Sequence, residues 1–313
     1  GVSTALELAS QGHQVVVYEK NSGIAQQASF ATGGFMGAGF VDTWTYPGAL
    51  MGQLKKWATQ QNGLRVNNLS KLPLSWILQW TRFCQQPQAD LKLASLQRLA
   101  FYSHETFKSL TEQYGLNYES SQGTLFLFRD AEDLQSVERH LHLLKESGIA
   151  FKKQTAEETR QLEPALSIDT ALLGSVFFPN DSIANCRQFT LLAKQEAEQL
   201  GASFKTGVEV QPLSKSNPRR IQCINGHDEI FDHVVVCAGI HSKKLLTKLR
   251  VHLPVESMYG YTLSAALREE MDSPTCGVLD TKHQVGITRS GQRIRVSGIC
   301  RSEEHTSELQ SRL

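Results

Sequence analysis

The chain has 313 residues, of which 40% are hydrophobic and 20% charged, and its formal net charge is +1. This composition is typical of a folded enzyme of roughly one to three domains, and the balanced charge argues against a nucleic-acid partner. Six scattered cysteines form no C-x-x-C pair, and no apolar run is long enough to span a membrane. We therefore expect no metal site, reduced thiols and a cytoplasmic protein.

The first twenty residues, GVSTALELASQGHQVVVYEK, predict a helix followed by a parallel strand. Ala5, Leu8 and Ala9 fall on one helical face, and Gly12 is suited to the end of the helix. The apolar run within Gln14 to Tyr18 is typical of a strand that is buried on both faces.

This stretch also fits the second half of a dinucleotide-binding β-α-β unit. In such a unit a G-x-G-x-x-G motif precedes the helix, and an acidic residue about 20 positions later binds the ribose. Gly1 would be the last glycine of the motif and Glu19 the acidic residue. The alternative is an ordinary α/β unit with a surface glutamate.

A second glycine-rich stretch, ASFATGGFMGAGF, covers Ala28 to Phe40 and has neither a helical nor a strand period. Small side chains allow a backbone to lie against a flat ligand, and Ser29 and Thr32 can hydrogen-bond to it. A flexible loop is the alternative.

The middle of the chain predicts two helices, over 48–62 and 73–115. Within the second, Trp76, Trp80 and Phe83 form a stripe near Lys71 and Arg82. We interpret the stripe as core packing, with contact to a membrane surface as the alternative. The next predicted elements are a strand at GTLFLFR and a helix at DLQSVERHLHLLKESG, with Leu134, Val137, Leu141 and Leu144 facing inward.

From Asn185 the pattern returns to alternating helix and strand. NCRQFTLLAKQEAEQLG predicts a helix, ASFKTGVEV a strand, and Asn225-Gly226 the turn of a β-hairpin. HVVVCAG predicts a buried strand that ends in Ala238 and Gly239, where ligands of open α/β sheets bind. Residues 276–299 predict a strand meander that turns at Ser290-Gly291.

Several of these stretches together resemble the D-amino-acid oxidase superfamily of flavoproteins, and within it the bacterial D-amino-acid dehydrogenase small subunits. The stretches that carry the resemblance are GVSTALELASQGHQVVVYEK, QASFATGG, SSQGTLFLFRD, RQLEPAL, GSVFFPNDSIANCRQF, HVVVCAG and VGITRSGQRIRVSG.

The resemblance implies an α/β fold in which a Rossmann-type FAD-binding domain is interleaved with an α+β substrate domain on a mixed sheet. We assign 1–47 and 155–248 to the FAD-binding domain, and 48–154 and 249–300 to the substrate domain.

The resemblance also implies the residues that bind FAD. Glu19 would hold the adenosine ribose, Val208 would meet the adenine through its backbone, and Thr32 to Gly34 would lie along the flavin and the pyrophosphate. The full set implied is Gly1, Glu19, Lys20, Ser29, Thr32, Gly33, Gly34, Val208, Ala238 and Gly239.

The implied reaction is oxidation of the CH-NH2 group of a D-amino acid to a keto acid and ammonia, with electrons passed to quinone or another acceptor. Peripheral contact with the inner membrane would accompany quinone reduction. A glycine or sarcosine-type amine oxidase, a non-catalytic nucleotide-binding protein and, less favoured, an NAD-linked enzyme are the alternatives.

A substrate carboxylate calls for a bidentate arginine assisted by a tyrosine hydroxyl. The candidates on the meander and just before it are Arg289, Arg293, Arg295, Tyr259 and Tyr261, of which we favour Tyr261, Arg289 and Arg295. Alternation of Arg293 and Arg295 with apolar residues is equally typical of a half-exposed strand.

The ends of the chain predict a piece of a longer protein. Arg301 to Ser311, RSEEHTSELQS, matches the translation of a common sequencing adapter, so we expect residues 301–313 to be an artefact. The first strand and the first glycines would precede Gly1. We therefore expect the parent protein to be active and the chain as printed to bind FAD poorly.

Overall fold

The computed structural model describes residues 1–39, 41, 64–65, 74–85, 88–146 and 148–301. The predicted helix over 48–62, Lys71 and all of the expected adapter segment except Arg301 lie outside these residues.

The described elements are strands, α-helices and short 3-10 turns. The strands are β1 Val16–Glu19, β2 Phe35–Met36, β3 Leu64–Arg65, β4 Ser120–Phe128, β5 Lys152–Thr155, β6 Gly174–Ala184, β7 Ser203–Thr206, β8 Arg220–Gln222, β9 Asp228–Ile230, β10 Tyr259–Ala266, β11 Gly277–Asp280, β12 Val285–Ser290 and β13 Arg293–Arg301. The α-helices are Val2–Ser10, Leu74–Phe83, Gln88–Gln113, Ala131–Glu146, Ala156–Leu162, Cys186–Gln199 and Ser242–Leu246. Short 3-10 turns cover Gly239–His241, Thr247–Leu249 and Glu270–Asp272.

The chain divides into two compact units whose segments alternate in sequence. The first unit comprises Gly1–Ala31, Tyr114–Asn117 and Cys186–Ser257. The second comprises Thr32–Gln113, Tyr118–Asn185 and Met258–Leu313. The predicted α/β class is confirmed, whereas the domain boundaries and their roles stay predictions.

The first unit is built on a parallel pair of strands. β1 aligns with β7, with Val16 opposite Ser203 and Glu19 opposite Thr206. The helix Val2–Ser10 buries Ala5, Leu6 and Ala9 and packs against the helix Cys186–Gln199. Small and branched apolar side chains on the inner faces of both helices permit this close packing.

The second unit is built on a mixed sheet of nine described strands. Seven of them follow the order β10-β13-β12-β11-β4-β6-β2, while β3 pairs with β13 and β5 with β6. β11 and β4 are parallel and the other neighbours in that order are antiparallel.

Both faces of the second unit's sheet carry core residues, because successive side chains of a strand point to opposite faces. On one face, Phe126 and Phe178 pack against the helix Ala131–Glu146, which contributes Val137, Leu141 and Leu144. On the other face, the buried side chains are Leu125, Leu127, Cys276 and Val278, with Leu162, Leu166, Leu172 and Phe177 around them. The predicted inward face of this helix is therefore confirmed.

The hairpin and the meander are also confirmed. β8 and β9 are antiparallel, and Gly226 has a φ of 87°, a left-handed value that glycine adopts without strain. β11, β12 and β13 form the meander, and Gly291 in its turn has a φ of 57°.

Three predictions are wrong in detail. Residues 233–238 form no strand, and Val235 is 59% exposed, because among the described residues no strand pairs with this segment. The predicted helix 73–115 is two helices, and Pro87, which lies between them in sequence, disfavours continuous helix. The β1 residues are half-buried rather than fully buried.

The stripe on the helix Leu74–Phe83 is not core. The Trp76 and Trp80 rings stack with centroids 6.4 Å apart, and no side chain of this helix is buried. No helix in the described part of the chain has both the length and the apolar character needed to cross a membrane.

We predict that Phe178→Ala lowers the free energy of unfolding by about 3 to 5 kcal/mol, because it opens a cavity under the helix Ala131–Glu146. Phe178 is 1% exposed, and its ring lies 5.3 Å from that of Phe126. The measurement is denaturant unfolding. Phe101→Ala, at a helical phenylalanine that is 51% exposed, is the matched control and should change stability by less than about 0.5 kcal/mol. Equal losses for both variants would contradict this core assignment.

Candidate functional site

In the first unit, the carboxyl end of β1 brings several predicted cofactor residues together. The Val208 amide donates to the Glu19 carbonyl oxygen at 2.9 Å, and the Gly207 amide donates to the Asn21 carbonyl oxygen at 2.7 Å. These bonds extend the parallel pairing past the end of β7. Val208 is thereby fixed beside the predicted ribose-binding residue.

The Glu19 side chain is oriented locally. Its Oε1 accepts hydrogen bonds from the Asn21 amide at 2.8 Å and from Asn21 Nδ2 at 2.7 Å. The neighbouring Lys20 Nζ lies 2.8 Å from His241 Nε2. Because His241 ends the 3-10 turn that begins at Gly239, the structure brings Lys20 close to the predicted Ala238-Gly239 turn.

Gly1 lies at the start of the helix Val2–Ser10 and close to the same segment. A Cβ atom on Gly1 would lie 3.5 Å from Cys237 Cβ, and Thr4 Oγ1 lies 3.7 Å from Cys237 Sγ. The N-cap residue Gly1 has no side chain that could accept hydrogen bonds from the first amides of this helix. This arrangement fits the phosphate of a dinucleotide, which helix N-termini bind through amides and the helix dipole.

A polar network fixes the residue that precedes Glu19. The Tyr18 hydroxyl donates to Glu229 Oε2 at 2.5 Å, and Lys205 Nζ donates to the same oxygen at 2.9 Å. The hydrogen bond from Tyr18, followed by that from Lys205, lowers the pKa of Glu229 to about 2. Burial, followed by the bond to Glu229, raises the pKa of Tyr18. β1, β7 and the β8–β9 hairpin are thus joined by one ionic cluster.

In the second unit, residues Thr32 to Gly39, which we name the glycine segment, lie against one face of the large sheet. Arg295 Nη1 donates to the Thr32 carbonyl oxygen at 3.0 Å, and Thr288 Oγ1 donates to the Gly33 carbonyl oxygen at 3.0 Å. Thr288 and Arg295 are directly opposite each other on β12 and β13. Two side chains on one face therefore hold successive carbonyls of the segment.

The segment approaches this face too closely for larger residues. A Cβ atom on Gly33 would lie 2.5 Å from Ser297 Oγ, and one on Gly286 would collide with the Phe35 ring. Real Cβ atoms essentially never approach so closely. Packing against the sheet therefore requires these glycines, and the role of the segment along FAD stays a prediction.

The three favoured substrate residues are not all on one face. Opposed residues of an antiparallel pair share a face, and neighbours along a strand alternate. Arg289 is opposite Ile294, the residue before Arg295, and Tyr261 is opposite Gly298. Arg289 and Tyr261 thus belong to the face opposite to that of Arg295. Their roles stay predictions, but they do not form one clamp with Arg295.

The arginines of the meander have different partners. Arg289 Nη2 donates to Glu270 Oε1 at 2.8 Å, and Arg293 Nη2 donates to Glu119 Oε2 at 3.3 Å. Arg295 Nε lies 3.4 Å from Ser264 Oγ. Arg295 thus donates a hydrogen bond to the glycine segment, whereas Arg289 and Arg293 donate to glutamates.

The remaining predicted residues lie in different units. Ser29 occupies a partly exposed turn of the first unit, and Tyr259 is 38% exposed. The sequence interpretation missed His241, Thr288 and Ser297. If VGITRS and RIRVSG are paired as the two strands of a hairpin, their register places Thr288 opposite Arg295, and this is the signal in the sequence that could have identified Thr288. Among the described residues no group of three His, Cys, Asp or Glu side chains could hold a metal ion.

Comparison with known proteins shows the family of the chain and proteins of similar fold. Residues 1–311 match the model of a family described as FAD dependent oxidoreductase. The structure is similar to glycine oxidase from Geobacillus kaustophilus, with 18% identity, a TM-score of 0.66 and coverage of 96% of this chain and 68% of the other. It is similar to L-proline dehydrogenase from P. horikoshii, with 17% identity, a TM-score of 0.70 and coverage of 99% and 71%. For iminodiacetate oxidase from Chelativorans sp. BNC1 the values are 17%, 0.67, 98% and 70%.

We predict that Gly286→Ala lowers the free energy of unfolding by about 1 to 3 kcal/mol, because the added methyl group forces the Phe35 ring out of its place. FAD binding should weaken in parallel, since Phe35 belongs to the glycine segment. The measurements are denaturant unfolding and FAD titration. Gly260→Ala in β10 is the control, because no neighbouring atom of the described residues lies within 4 Å of its Cβ position. An unaltered Gly286→Ala protein would contradict the close packing.

Proposed function

The chain belongs to the family of FAD-dependent oxidoreductases, and from that premise we propose that it oxidises the CH-NH2 group of a D-amino acid. The observation that supports this function best is the glycine segment held by Thr288 and Arg295 on a polar face of the sheet. That face offers a guanidinium beside the backbone proposed to contact the flavin.

FAD is the cofactor, and we propose how this chain holds it. Glu19 binds the adenosine ribose, the Val208 backbone meets the adenine, and Gly1 with Ala238-Gly239 accommodates the pyrophosphate. Ser29 and the part of the glycine segment from Thr32 to Gly34 lie along the flavin and the pyrophosphate. When bound, FAD supplies the acceptor for the two electrons of the amine.

Arg295 is the proposed ligand of the substrate carboxylate. A guanidinium presents planar N–H donors that match a carboxylate in bidentate geometry. Its hydrogen bond to the Thr32 carbonyl and its contact with Ser264 fix the direction of this fork. Positioning of the carboxylate places the amino-bearing carbon for oxidation, which is the protein's main contribution to such a reaction. Arg289 and Tyr261, on the other face, remain the alternative clamp.

A glycine or sarcosine-type amine oxidase is the second candidate. The likeness to glycine oxidase and iminodiacetate oxidase favours it, because both are amine oxidases of similar fold. The two functions differ in the acceptor: a dehydrogenase passes electrons to quinone, whereas an oxidase produces hydrogen peroxide.

We predict that D-alanine bleaches the visible absorbance of the bound flavin in the absence of oxygen. The protein is expressed with any coding sequence that flanks the chain and is loaded with FAD. Glycine, sarcosine and L-alanine are the comparison substrates, and peroxide is measured after air is admitted. Bleaching by glycine or sarcosine alone would favour the second candidate, and an unbleached flavin with every amine would overturn both.

The same assay tests the carboxylate ligand. Arg295→Met should raise the D-alanine concentration for half-maximal bleaching by about tenfold or more, because a charged hydrogen bond is lost. Arg289→Met is the matched variant from the neighbouring strand. If Arg289→Met shows the larger effect, the carboxylate assignment moves to the other face.

We also propose that the helix Leu74–Phe83 contacts an anionic membrane surface, as reduction of membrane quinone would require. Leu74 is 70% and Leu78 61% exposed on this helix, which contains Arg82 and no acidic residue. Exposed leucines and tryptophans beside a basic residue are typical of helices that lie in the lipid interface.

We predict that the protein co-sediments with vesicles containing anionic phosphatidylglycerol and that Leu78→Glu weakens this binding about tenfold, through the loss of buried apolar area and the added negative charge. Ile168→Glu is the control, since Ile168 is 81% exposed outside this helix. Binding that is absent, or equally reduced by both variants, would contradict the proposed contact.

A further inference from the structure

Asp181 of β6 lies at the far end of the glycine segment and is only 6% exposed. Its Oδ1 accepts a hydrogen bond from the Gly39 amide at 3.1 Å, and its Oδ2 accepts one from Thr124 Oγ1 at 2.9 Å. Both carboxylate oxygens are therefore used, one by the segment and one by the central strand β4.

The glycines at this end of the segment leave the space that the Asp181 carboxylate occupies. A Cβ atom on Gly39 would lie 2.6 Å from Asp181 Oδ2, and one on Gly37 would collide with the whole carboxylate group. Side chains at these two positions would push the backbone away from Asp181. The glycines and the aspartate therefore form a single fitted contact.

Backbone pairing between the segment and β6 ends next to this contact. The Ala184 amide donates to the Gly34 carbonyl oxygen at 2.8 Å, and β2 pairs with β6 through Phe35 opposite Ile183 and Met36 opposite Ser182. Asp181 is the next residue of β6 in this direction. The carboxylate continues the attachment of the segment to β6 where the strand pairing ends.

We propose that Asp181 is a positioning residue for FAD: it holds the glycine segment in the shape that binds the flavin. The inference rests on the proposed role of Thr32 to Gly34 along the cofactor. Asp181 acts through the backbone, and its removal leaves the Gly39 amide without its acceptor in a buried place.

The electrostatics of Asp181 fit a functional more than a stabilising role. Burial raises the pKa of Asp181, while the bonds from Thr124 and Gly39 and the charge of His104 oppose the rise. A raised pKa means that this group's contribution to stability is fully present at low pH and is lost as the pH rises through that pKa. Ionisation of Asp181 therefore costs stability as the pH rises through its pKa.

The test compares Asp181→Ala, Asp181→Asn and Glu163→Gln by FAD titration, by the visible spectrum of the bound flavin and by unfolding of the flavin-free protein. Glu163 is the matched control, a carboxylate that is 1% exposed in the same unit and bonds to Thr275 and Cys276 rather than to the segment. His104, on the helix Gln88–Gln113, carries charge that acts on Asp181, so all variants are compared at one pH, pH 8.

We expect Asp181→Ala to weaken FAD binding about 10- to 100-fold, as one or two buried hydrogen bonds would, and to change the flavin spectrum. Asp181→Asn should recover most of the affinity, because its carbonyl oxygen still accepts the Gly39 amide, and should unfold no earlier than the unsubstituted protein at pH 8. Glu163→Gln should lower stability but leave FAD affinity within about twofold. Unchanged affinity and spectrum in Asp181→Ala would overturn the proposal while leaving the cofactor role intact. Every protein in this test is expressed with any coding sequence that flanks the chain, and failure of the unsubstituted protein to bind FAD would instead count against the proposed function.

Discussion

Close approach of backbone to sheet is the constraint on which the second unit depends. The glycine segment contacts β13, β12, β11 and β6, and at the closest of these contacts one partner is a glycine, as at Gly33 against Ser297 and at Gly286 and Gly277 against Phe35. Such contact leaves no space for Cβ atoms, so the composition of the segment and that of the facing strands are determined together. The polar anchors Thr288, Arg295 and Asp181 then fix the position of a backbone that has few side chains of its own.

In the first unit, polar and charged side chains fix the position of Glu19 and connect the strands. Its parallel pair is short, and Glu19 at the end of β1 must keep one orientation. Asn21 binds the carboxylate directly, while the cluster of Tyr18, Lys205 and Glu229 joins both strands to the hairpin. Partly exposed ion pairs contribute little to stability individually. Their value here is geometric, because they connect β1, β7 and the hairpin beside the apolar cluster of Leu213, Ile221 and Cys223.

Local signals in the sequence were sufficient to predict the elements whose partners are close along the chain. The helix Ala131–Glu146, the Asn225-Gly226 hairpin and the meander were predicted because periodicity and turn chemistry determine them. Residues 233–238 were predicted as a strand from apolar character alone, although a strand also requires a partner. In the candidate site, composition indicated the glycine segment, but only cross-strand register shows that Arg289 and Arg295 face opposite ways. No single-residue property distinguishes those two arginines.

The same register has an evolutionary consequence. Insertion of one residue within β13 before Arg295 would exchange its two faces, because the side-chain period of a strand is two. Arg295 and Ser297 would then leave the face of the sheet that contacts the glycine segment, and Ile294 and Val296 would replace them. Divergence within this hairpin is therefore expected to proceed by substitution at constant length. A single-residue insertion would thus replace polar side chains beneath the glycine segment with apolar ones in one step.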